Sequence, residues 1–493
     1  MVISENRILV GGKWREPVSQ RQIGIVSPST EEVVGRVPDA GADDVDAAAA
    51  AARRSFDDGT WRGADVAERT DTLARALDLL EPKLDEIGRL VTLQMGLPVS
   101  MSGMVIPAGL STGRYFLDVA RTEPTTELRR GQTTSAAVLR EPVGVVASIA
   151  PWNGPFNSAI SKIIPALAAG CSVVYKSAPE TPLDTFLVAE ALVEAGVPEG
   201  VFSYLTGGSE CGKALVAHPA VDKVSFTGST ASGREIGAEC GRSFKRMTLE
   251  LGGKSAAIVL EDADLAATVQ GLSIGAFFNT GQICAAYSRV LVPRTRADEF
   301  TDALVAAAES FVVGDPFDEV TTMGPLVSQR QRERVERYVG AGVDEGAKIL
   351  TGGGRPGGIE KGWYVQPTVF GGAINSMRIC REEIFGPVVA ILTYDSVDEA
   401  IAIANDSDYG LHGAVFTTDG DAALAVAGAV RTGTFSVNSY AYNIEAPFGG
   451  VKSSGVGRDT GREGVTSFYE LKTVNIDESA EAAVARLVAG GTL

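Results

Sequence analysis

The side chain best placed for covalent chemistry in this sequence is the thiol of Cys284. The apolar run 266–278 predicts a helix, Gly281 is a natural helix stop, and 288–292 predicts a buried strand. The thiol would therefore lie on a turn from helix to strand, where it can face a cleft. An ionised thiol is strongly nucleophilic, so Cys284 is a candidate for covalent catalysis; the alternative is a small buried hydrophobic residue.

The length and composition indicate a large α/β protein. Its 493 residues are too many for one hydrophobic core, and 45% are apolar, in short Val/Ile-rich stretches that alternate with Ala/Leu/Glu-rich ones. The formal charge of −18 argues against nucleic acid and anionic membranes as partners. Because the first residues lack the apolar core of a signal peptide and no apolar run reaches membrane-spanning length, we expect a cytoplasmic protein.

The cysteines and histidines predict neither disulfide bonds nor a metal site. The five cysteines are odd in number and widely spread, and none forms a CxxC spacing. Of the two histidines, His218 precedes a proline and His412 lies in a glycine-flanked strand, so both are interpreted as structural. We therefore expect no metal ion.

From residue 143 onward, short apolar strands alternate with helices. The predicted strands are 143–150, 172–176, 201–205, 223–226 and 246–251, and the predicted helices are 157–169, 182–195, 210–217 and 232–240. Five such strands joined by helices predict a doubly wound parallel sheet, which binds its ligand at the carboxyl ends of the strands.

The segments on either side are also structured. Strands are predicted within 7–14 and 23–37, and helices follow from 43 to 59, from 65 to 96 with a break at Pro82, and from 106 to 120. The polar, β-prone stretch 122–140 predicts an exposed hairpin, and the tail 468–476 could pair with it. Such a hairpin is marginal unless something covers it, and a partner subunit is one possible cover. A second βα series runs from about 253 to 438.

The usual dinucleotide fingerprint GxGxxG is absent. The near match at 455–460 lacks its last glycine and follows no strand, so it is dismissed. The stretch 226–233 is the better candidate, because a strand passes through small residues into a helix whose N-terminal amides could face a phosphate. An ordinary tight turn between strand and helix would look the same.

Seven short motifs occur in order along the chain and together resemble the aldehyde dehydrogenase superfamily. They are PWNGP at 151–155, Lys176, FTGS at 226–229, LELGGK at 249–254, GQIC at 281–284, EEIFGP at 382–387 and PFGG at 447–450. The resemblance extends from Gly11 to Thr473. It implies a doubly wound cofactor domain (1–121 and 143–252), an α/β catalytic domain (253–446) and a small β oligomerisation arm (122–142 and 468–493).

The resemblance also implies a mechanism. The Cys284 thiolate would add to an aldehyde, the resulting thiohemiacetal would give a hydride to NAD, and the thioester would be hydrolysed to the acid. The Asn153 amide and the Cys284 backbone N–H would hold the oxyanion, and Glu250 would be the general base. Lys162 and Asp459 match positions used for proton relay or water positioning, although Asp459 is commonly Glu in the family. Without the resemblance, Asn153 would be interpreted as a turn residue and Glu250 as a surface carboxylate.

For the cofactor, the resemblance implies a set of contacts from Trp152, Lys176, Pro179, Gly228, Ser229, Glu383 and Phe385. Lys176 would reach the adenine ribose, Ser229 the pyrophosphate and Glu383 the nicotinamide ribose. One departure concerns position 179, where many NAD-preferring relatives carry Glu and this chain carries Pro179, with Glu180 one step later. Loss of that carboxylate would remove repulsion toward a 2′-phosphate, so we expect NAD, with NADP as the alternative.

The substrate tunnel implied by the resemblance is polar. It would be lined by Asn157, Ser158, Ser161, Tyr287 and Asn443, which predicts a small or polar aldehyde. The arm implies a homo-oligomer, either a dimer or a tetramer. Two other functions are considered: a CoA-acylating semialdehyde dehydrogenase, disfavoured by the retention of Glu250, and a non-catalytic structural homologue, disfavoured by the presence of Cys284, Glu250 and Asn153.

Overall fold

A computed structural model describes residues 3–488 of the chain. Residues 1–2 and 489–493, at the outer ends of the predicted cofactor domain and of the predicted arm, lie outside this range. Within it the chain forms two large sheets, two three-stranded sheets and the helices that cover them. The α/β fold class predicted from the sequence is confirmed.

The predicted doubly wound sheet forms the centre of an eight-stranded sheet. The strands, in their order across the sheet, are β20 (Gly455–Val456), β12 (Arg246–Glu250), β11 (Lys223–Thr227), β8 (Val145–Ile149), β9 (Ser172–Lys176), β10 (Phe202–Leu205), β2 (Ile8–Val10) and β3 (Lys13–Arg15). The five from β12 to β10 are parallel, and short antiparallel strands close both edges. Their carboxyl ends therefore lie at one edge of the sheet.

Helices cover both faces of this sheet. They are α1 (Ala42–Asp58), α2 (Val66–Leu80), α3 (Leu84–Met95), α4 (Val99–Thr122), α5 (Pro155–Ala168), α6 (Leu183–Glu194), α7 (Ser209–Ala217) and α8 (Thr230–Ser243). Successive strand residues point to opposite faces, and Val145 and Val146 accordingly belong to two different buried clusters. The predicted break near Pro82 is present as a 3₁₀ turn between α2 and α3.

The second βα series forms a seven-stranded sheet. In spatial order its strands are β15 (Lys348–Thr351), β16 (Thr368–Gly371), β17 (Val388–Tyr394), β14 (Tyr287–Pro293), β13 (Ser255–Val259), β18 (Gly413–Phe416) and β19 (Ser436–Val437), with only β15 antiparallel to its neighbour. Its helices are α9 (Leu265–Phe277), α10 (Ala297–Glu309), α11 (Gln329–Asp344), α12 (Arg378–Arg381), α13 (Val397–Asn405) and α14 (Gly420–Ala429).

The predicted hairpin and tail pair with each other. Strands β6 (Thr126–Arg130) and β7 (Ser135–Pro142) form the hairpin, and β21 (Tyr469–Ile476) pairs antiparallel with β7 over eight residues. Helices α15 (Gly461–Thr466) and α16 (Glu478–Val488) flank β21 along the chain. A further small sheet joins β1 (Ile3–Ser4), β4 (Gln22–Val26) and β5 (Val33–Pro38). The pairing of the hairpin with the tail, predicted from the sequence, is confirmed.

The chain crosses from one large sheet to the other directly at Glu250. Only four residues separate the end of β12 from the start of β13, so the last residue of a strand in the first sheet lies beside the beginning of the second. Across residues 3–488, no single helix is long and apolar enough to cross a membrane; the bent pair 66–95 and 99–122 has the required length and composition only when taken together.

Candidate active site

Cys284 lies on the predicted turn between a helix and a strand. Helix α9 ends at Phe277, and a 3₁₀ turn with three consecutive residues in the left-handed region follows: Asn279 (φ 52°), Thr280 (φ 56°) and Gly281 (φ 66°). Non-glycine residues with this backbone conformation store strain, which persists only where the surroundings hold them. Gly281 is also required sterically, because a Cβ there would lie 2.3 Å from the carbonyl of Gly386.

Gln282 holds this turn against the loop that carries Asn153. Its side-chain Nε2 donates to the Asn279 carbonyl (3.1 Å), and its Oε1 accepts from the Val327 amide (2.9 Å). The Asn153 side chain donates to the Gln282 carbonyl (2.8 Å), and the Asn279 side chain donates to the Asn153 carbonyl (3.0 Å). A side-chain amide carries two N–H groups, so Asn153 keeps one for a ligand. Sequence reasoning did not single out Gln282 or Asn279, whose only signal was their position beside Cys284.

Glu250 is a buried carboxyl group without a hydrogen-bond partner. It is 3% exposed, and neither carboxylate oxygen has a partner among the described residues. Burial raises the pKa of Glu250 well above its usual range, and the charge of Asp459 adds to this. Gly449 makes the room that the carboxyl group occupies, because a Cβ there would lie 2.4 Å from Glu250 Oε1. In this arrangement Glu250 holds its proton more tightly than an exposed glutamate does, and it acts as a base only once water or a ligand reaches it.

The two glycines after Leu251 allow Glu383 and Cys284 to approach the crossing between the sheets. The Gly253 amide donates to Glu383 Oε1 (2.9 Å), and a Cβ on Gly252 would lie 2.5 Å from Glu383 Oε2. A Cβ on Gly253 would lie 2.2 Å from the Cys284 carbonyl oxygen. Burial raises the pKa of Glu383 to about 7. The glycines of the LELGGK motif are thus explained by close packing around Glu383 and the cysteine.

The thiol of Cys284 resists ionisation in this state. Cys284 is partly exposed to the cavity, but the surrounding protein removes most of the water that would solvate a thiolate. This burial raises its pKa to about 12, and the charges of Glu383 and Glu250 contribute in the same direction. A thiol in this environment becomes a nucleophile when a base accepts its proton or when a cation replaces the missing solvation.

One large cavity brings the predicted catalytic and cofactor residues together. It has a volume of about 1120 Å³ and is lined by Cys284, Glu250 and Asn153. All seven residues predicted to contact the cofactor also line it: Trp152, Lys176, Pro179, Gly228, Ser229, Glu383 and Phe385. The cavity is as large as or larger than the sites that hold drug-sized ligands, which suits a dinucleotide.

The walls of the cavity offer groups that fit a dinucleotide. Ser229 is the N-cap of α8, where its Oγ accepts from the Ser232 amide (3.2 Å), so a helix N-terminus faces the cavity and can receive a phosphate. Lys176 is 5% exposed at the end of β9, and among residues 3–488 its ammonium donates only to the neighbouring Ser177 carbonyl (3.0 Å). Trp152 and Phe385 pack edge to face with ring centroids 5.3 Å apart.

Lys162 and Asp459 lie near Glu250 but do not line the cavity. Lys162 Nζ is 3.2 Å from Asp459 Oδ2 and 3.2 Å from Ser225 Oγ, and the lysine is 1% exposed. The Asp459 charge contributes to the raised pKa of Glu250, which places the two carboxyl groups near each other. The structure thus brings Lys162 and Asp459 together next to the predicted base, despite the shorter side chain of Asp459.

The predicted tunnel residues are not part of the large cavity. On α5, Asn157 donates to the Val105 carbonyl (3.1 Å) and Ser161 donates to the Ser158 carbonyl (3.3 Å), while Asn443 accepts from the Glu445 amide (3.0 Å) in a loop. Asn157, Ser158 and Ser161 are half-buried, and Asn443 is exposed.

Tyr287 does not have the position that the tunnel prediction requires. It is fully buried, its hydroxyl donates to the Ser439 carbonyl (2.8 Å), and its ring stacks on His412 with centroids 5.6 Å apart. Gly275 packs against the ring so closely that a Cβ there would lie 2.1 Å from it. Tyr287 is the first residue of the central strand β14, and α9 covers it, so it is a core residue. The prediction that it lines a tunnel is wrong for this structure.

Two tyrosines that the sequence did not single out lie closer to the thiol. Tyr442 donates to the Tyr440 hydroxyl (2.7 Å), and their rings lie 5.2 Å apart. Burial is the main cause of the raised pKa of both hydroxyls. The charge of Cys284 is a smaller cause, which it can be only because both hydroxyls lie near the sulfur. Tyr442 also packs edge to face on Phe448, the aromatic residue of the PFGG motif (5.3 Å). The loop 440–448 therefore forms an aromatic wall near Cys284.

The histidines have surroundings that fit structural roles. His218 lies 3.2 Å from Asp46, and burial lowers the pKa of His412 to about 4. No cluster of three or more His, Cys, Asp or Glu side chains that could hold a metal ion occurs among residues 3–488.

Known proteins resemble this chain over nearly its whole length. The sequence model of the aldehyde dehydrogenase family matches residues 14–474. Geranial dehydrogenase of Castellaniella defragrans is 45% identical over 476 residues, covering 96% of this chain and 99% of that protein. The mitochondrial aldehyde dehydrogenase of Homo sapiens is 41% identical, covering 96% and 92%.

A solved structure agrees with this resemblance. The Mycobacterium tuberculosis aldehyde dehydrogenase complexed with NAD+ superposes with a TM-score of 0.95 at 44% identity, covering 97% of this chain and 99% of that one. A cysteine turn, a buried glutamate and a dinucleotide-sized cavity are joined in one fold, and sequence and structure both match the same group of proteins. The chain belongs to the aldehyde dehydrogenase family.

Proposed function

We propose that this chain oxidises an aldehyde to a carboxylic acid with NAD(P)+, using Cys284 as the nucleophile. The observation that carries the proposal is that Cys284, Glu250 and Asn153 line one cavity with the seven residues proposed to contact the cofactor. Sequence separation between these residues is large, so their convergence is a property of the fold. Family membership supports the same reaction.

The cavity residues fit a nicotinamide dinucleotide, with NAD as the first choice and NADP as the alternative. Lys176 would bind the adenine ribose, the N-terminus of α8 at Gly228 and Ser229 the pyrophosphate, and Glu383 the nicotinamide ribose. The relatives whose structures contain NAD+ support this choice. When bound, the cofactor supplies a hydride acceptor.

The protein's own groups would handle the carbonyl and its protons. The Cys284 thiol first gives up its proton, through cavity water to solvent, and the thiolate sulfur then forms a bond to the aldehyde carbon. The carbonyl electron pair moves to the oxygen, and this oxyanion would accept hydrogen bonds from the free Asn153 N–H and the Cys284 backbone N–H. The thioester left after oxidation needs water as the second nucleophile. Glu250 would accept a proton from that water once solvent entry lowers its pKa toward the normal range.

The proton taken up by Glu250 must leave the buried site. Asp459 offers the next acceptor, because its carboxyl group lies near Glu250; the Lys162 ammonium, 3.2 Å from Asp459 Oδ2, holds that carboxylate in place as a donor. Ser225 continues this chain of polar groups on the face of β11. We infer that these residues return the proton toward solvent between turnovers.

For the substrate, we retain the proposal of a small or polar aldehyde. The half-buried amide and hydroxyl groups of Asn157, Ser158 and Ser161 on the first turns of α5 support it. A large kcat/KM advantage for a long alkanal over a short hydroxy-aldehyde would contradict it.

The central experiment follows the product and the first turnover. The purified chain with NAD+ and a short aldehyde should release carboxylic acid even in the presence of CoA, since Glu250 would favour hydrolysis; acyl-CoA as the product would support the CoA-acylating alternative. Cys284→Ala should abolish NADH formation but leave cofactor binding intact. No NADH with any of a panel of aldehydes would support a non-catalytic structural homologue instead.

We also propose a homo-oligomer joined through the arm, a dimer or a tetramer. Strand β21 lies at an edge of its sheet and exposes Leu471 (64%) and Val474 (39%), so a second copy could cover it. Light scattering coupled to size exclusion would measure the mass of the assembly. The domain limits 1–121 with 143–252, 253–446 and 122–142 with 468–493 remain part of this proposal.

We further propose a reducing compartment, the cytoplasm. All five cysteines fall within the described part of the chain, and each is a free thiol there.

A further inference from the structure

Glu180 and Arg330 form an ion pair in the lining of the proposed cofactor cavity. Glu180 lies in the loop that begins after Lys176, at the end of β9, and Arg330 lies in the first turn of α11. Both side chains line the cavity, and Arg330 Nη2 is 3.9 Å from Glu180 Oε1. The pair thus connects a loop of the first sheet to a helix of the segment that forms the second.

This ion pair is weak enough to be exchanged for another partner. The Arg330 side chain is 85% exposed and that of Glu180 is 25% exposed, and an exposed pair near the 4 Å limit contributes little stability. The first turn of α11 contains no acidic residue, so the helix N-terminus and the Arg330 charge both favour an anion at this place.

A second cation, Lys176, lies near Glu180 in the lining of the same cavity. Burial lowers the pKa of the Lys176 ammonium, and the nearby Glu180 charge partly opposes this effect, so the two side chains are close. Lys176, Glu180 and Arg330 all line the cavity, so Glu180 has a cationic neighbour in each of the other two. Pro179 also lines the cavity but offers no polar side-chain atom.

The chemical difference between NAD and NADP is a phosphate on the 2′ position of the adenosine ribose. A carboxylate accepts a hydrogen bond from the free 2′-hydroxyl and repels the 2′-phosphate, whereas an arginine binds that phosphate. Both kinds of group are present here, and they are paired with each other.

We propose that Glu180, rather than residue 179, recognises the 2′ position of the adenosine ribose and gives the chain a preference for NAD over NADP. Arg330, which can bind a 2′-phosphate, makes that preference smaller. This inference rests on the proposed function, because it requires a nicotinamide dinucleotide in this cavity. In the NAD complex, Glu180 accepts from the 2′-hydroxyl. With NADP, Arg330 leaves Glu180 for the phosphate, and the Glu180 charge opposes binding.

Two fragments that differ only in the 2′-phosphate test this without turnover. Calorimetry would measure the Kd of 5′-AMP and of 2′,5′-ADP for the full chain and its variants. We expect Glu180→Gln to tighten 2′,5′-ADP about tenfold while changing 5′-AMP by less than about threefold, because a charge of like sign is removed near a dianion. Arg330→Gln in the Glu180→Gln background should weaken 2′,5′-ADP about tenfold, with Arg330→Lys intermediate.

Matched controls carry the same charge changes outside the cavity. Glu194, exposed near the end of α6, and Arg355, which pairs with Glu336, do not line the cavity among the described residues. Glu194→Gln and Arg355→Gln should leave the ratio of the two Kd values within about twofold. A change as large as that of Glu180→Gln would show a general charge effect and overturn the assignment.

The outcomes separate this inference from the proposed function. If both fragments bind and Glu180→Gln leaves their Kd ratio unchanged, Glu180 does not read the 2′ position, although the cavity still binds the cofactor. If neither fragment binds the unaltered chain, the cavity is not a dinucleotide site and both proposals fail. Unchanged melting temperatures of the variants would show that these exposed substitutions leave the fold intact.

Discussion

Cys284 should react slowly with disulfide reagents in the cofactor-free protein, at a rate that continues to rise at high pH. Burial raises the pKa of this thiol to about 12, and the charges of Glu383 and Glu250 add to the effect. Only the thiolate attacks a disulfide. A raised pKa means a smaller thiolate fraction at any given pH, so the sign of the effect is a slower reaction.

The expected magnitude combines two opposing effects. At pH 8 a free cysteine with a pKa of about 8.5 is roughly one quarter ionised, while a pKa of about 12 leaves a fraction of about 10⁻⁴, a difference of about 2,000-fold. A more basic thiolate is intrinsically more reactive, which recovers about 30-fold. The net expectation is a rate about 100-fold below that of a free cysteine.

The assay is the absorbance change on reaction with 4,4′-dithiodipyridine between pH 7 and pH 10. The Cys284→Ala protein supplies the blank, because the other four cysteines are buried. Over this range the Cys284 rate should rise about tenfold per pH unit without a plateau, since the thiolate fraction grows in that proportion below the pKa.

A pair of neighbouring glutamates tests the cause of the raised pKa. Glu383→Gln should accelerate the reaction at pH 8 several-fold, because Glu383, with a pKa of about 7, is ionised there and opposes the thiolate. Glu382→Gln is the matched control, since its carboxylate bonds to Tyr338 and Arg378 and should leave the rate unchanged. A plateau below pH 9, or equal effects of the two variants, would refute the reasoning.

Three further predictions follow from the same structure. Glu250→Gln should preserve the first burst of NADH but lower steady-state acid release by 10²-fold or more, on the order of a lost general base, measured by stopped-flow and product analysis; an unchanged steady state would remove Glu250 from hydrolysis. Asn153→Ala should lower kcat by about 10²–10³-fold with little change in cofactor Kd, and an equal loss of cofactor binding would contradict a role confined to the oxyanion. Asp184→Asn should stabilise the protein at pH 8, because burial raises the pKa of Asp184 to about 7. The unaltered chain therefore loses stability, by at most about 4 kcal/mol, as the pH rises from about 4 to about 7. A melting temperature of the variant below that of the unaltered protein at pH 8 would contradict this.

Local sequence pattern was sufficient for most elements of the first sheet. Strand β9 begins and ends at the predicted residues, because its run of branched apolar residues is flanked by a glycine turn and a polar strand end. Strand β8 is shorter than predicted, since Gly144 adopts φ 127° and a side chain there would collide with Asp222. Helix α4 begins at Val99 rather than near 106, because Pro98 ends the preceding turn at a place where the apolar period is still weak.

Some residues of the candidate site could likewise be predicted from local pattern, and others could not. The type and order of Cys284, Glu250 and Asn153 were visible in the sequence, as were the glycines next to them. Gln282 was not, because its contribution is a set of hydrogen bonds to groups that lie far apart along the chain. Tyr287 was misplaced, because an aromatic residue next to a catalytic loop has the same local pattern whether it faces a tunnel or the core.

Residue pattern alone was enough to predict most of the elements and which residue types could perform the chemistry. These depend on short-range periodicity and on intrinsic reactivity, which are properties of the residues and their near neighbours. The folded chain was needed to establish the order of the strands, the register of the hairpin with the distant tail, the solvation of the Cys284 and Glu250 side chains, and the contact of Glu180 with Arg330. Each of these depends on which distant segments exclude water from a given atom, and no local pattern specifies that.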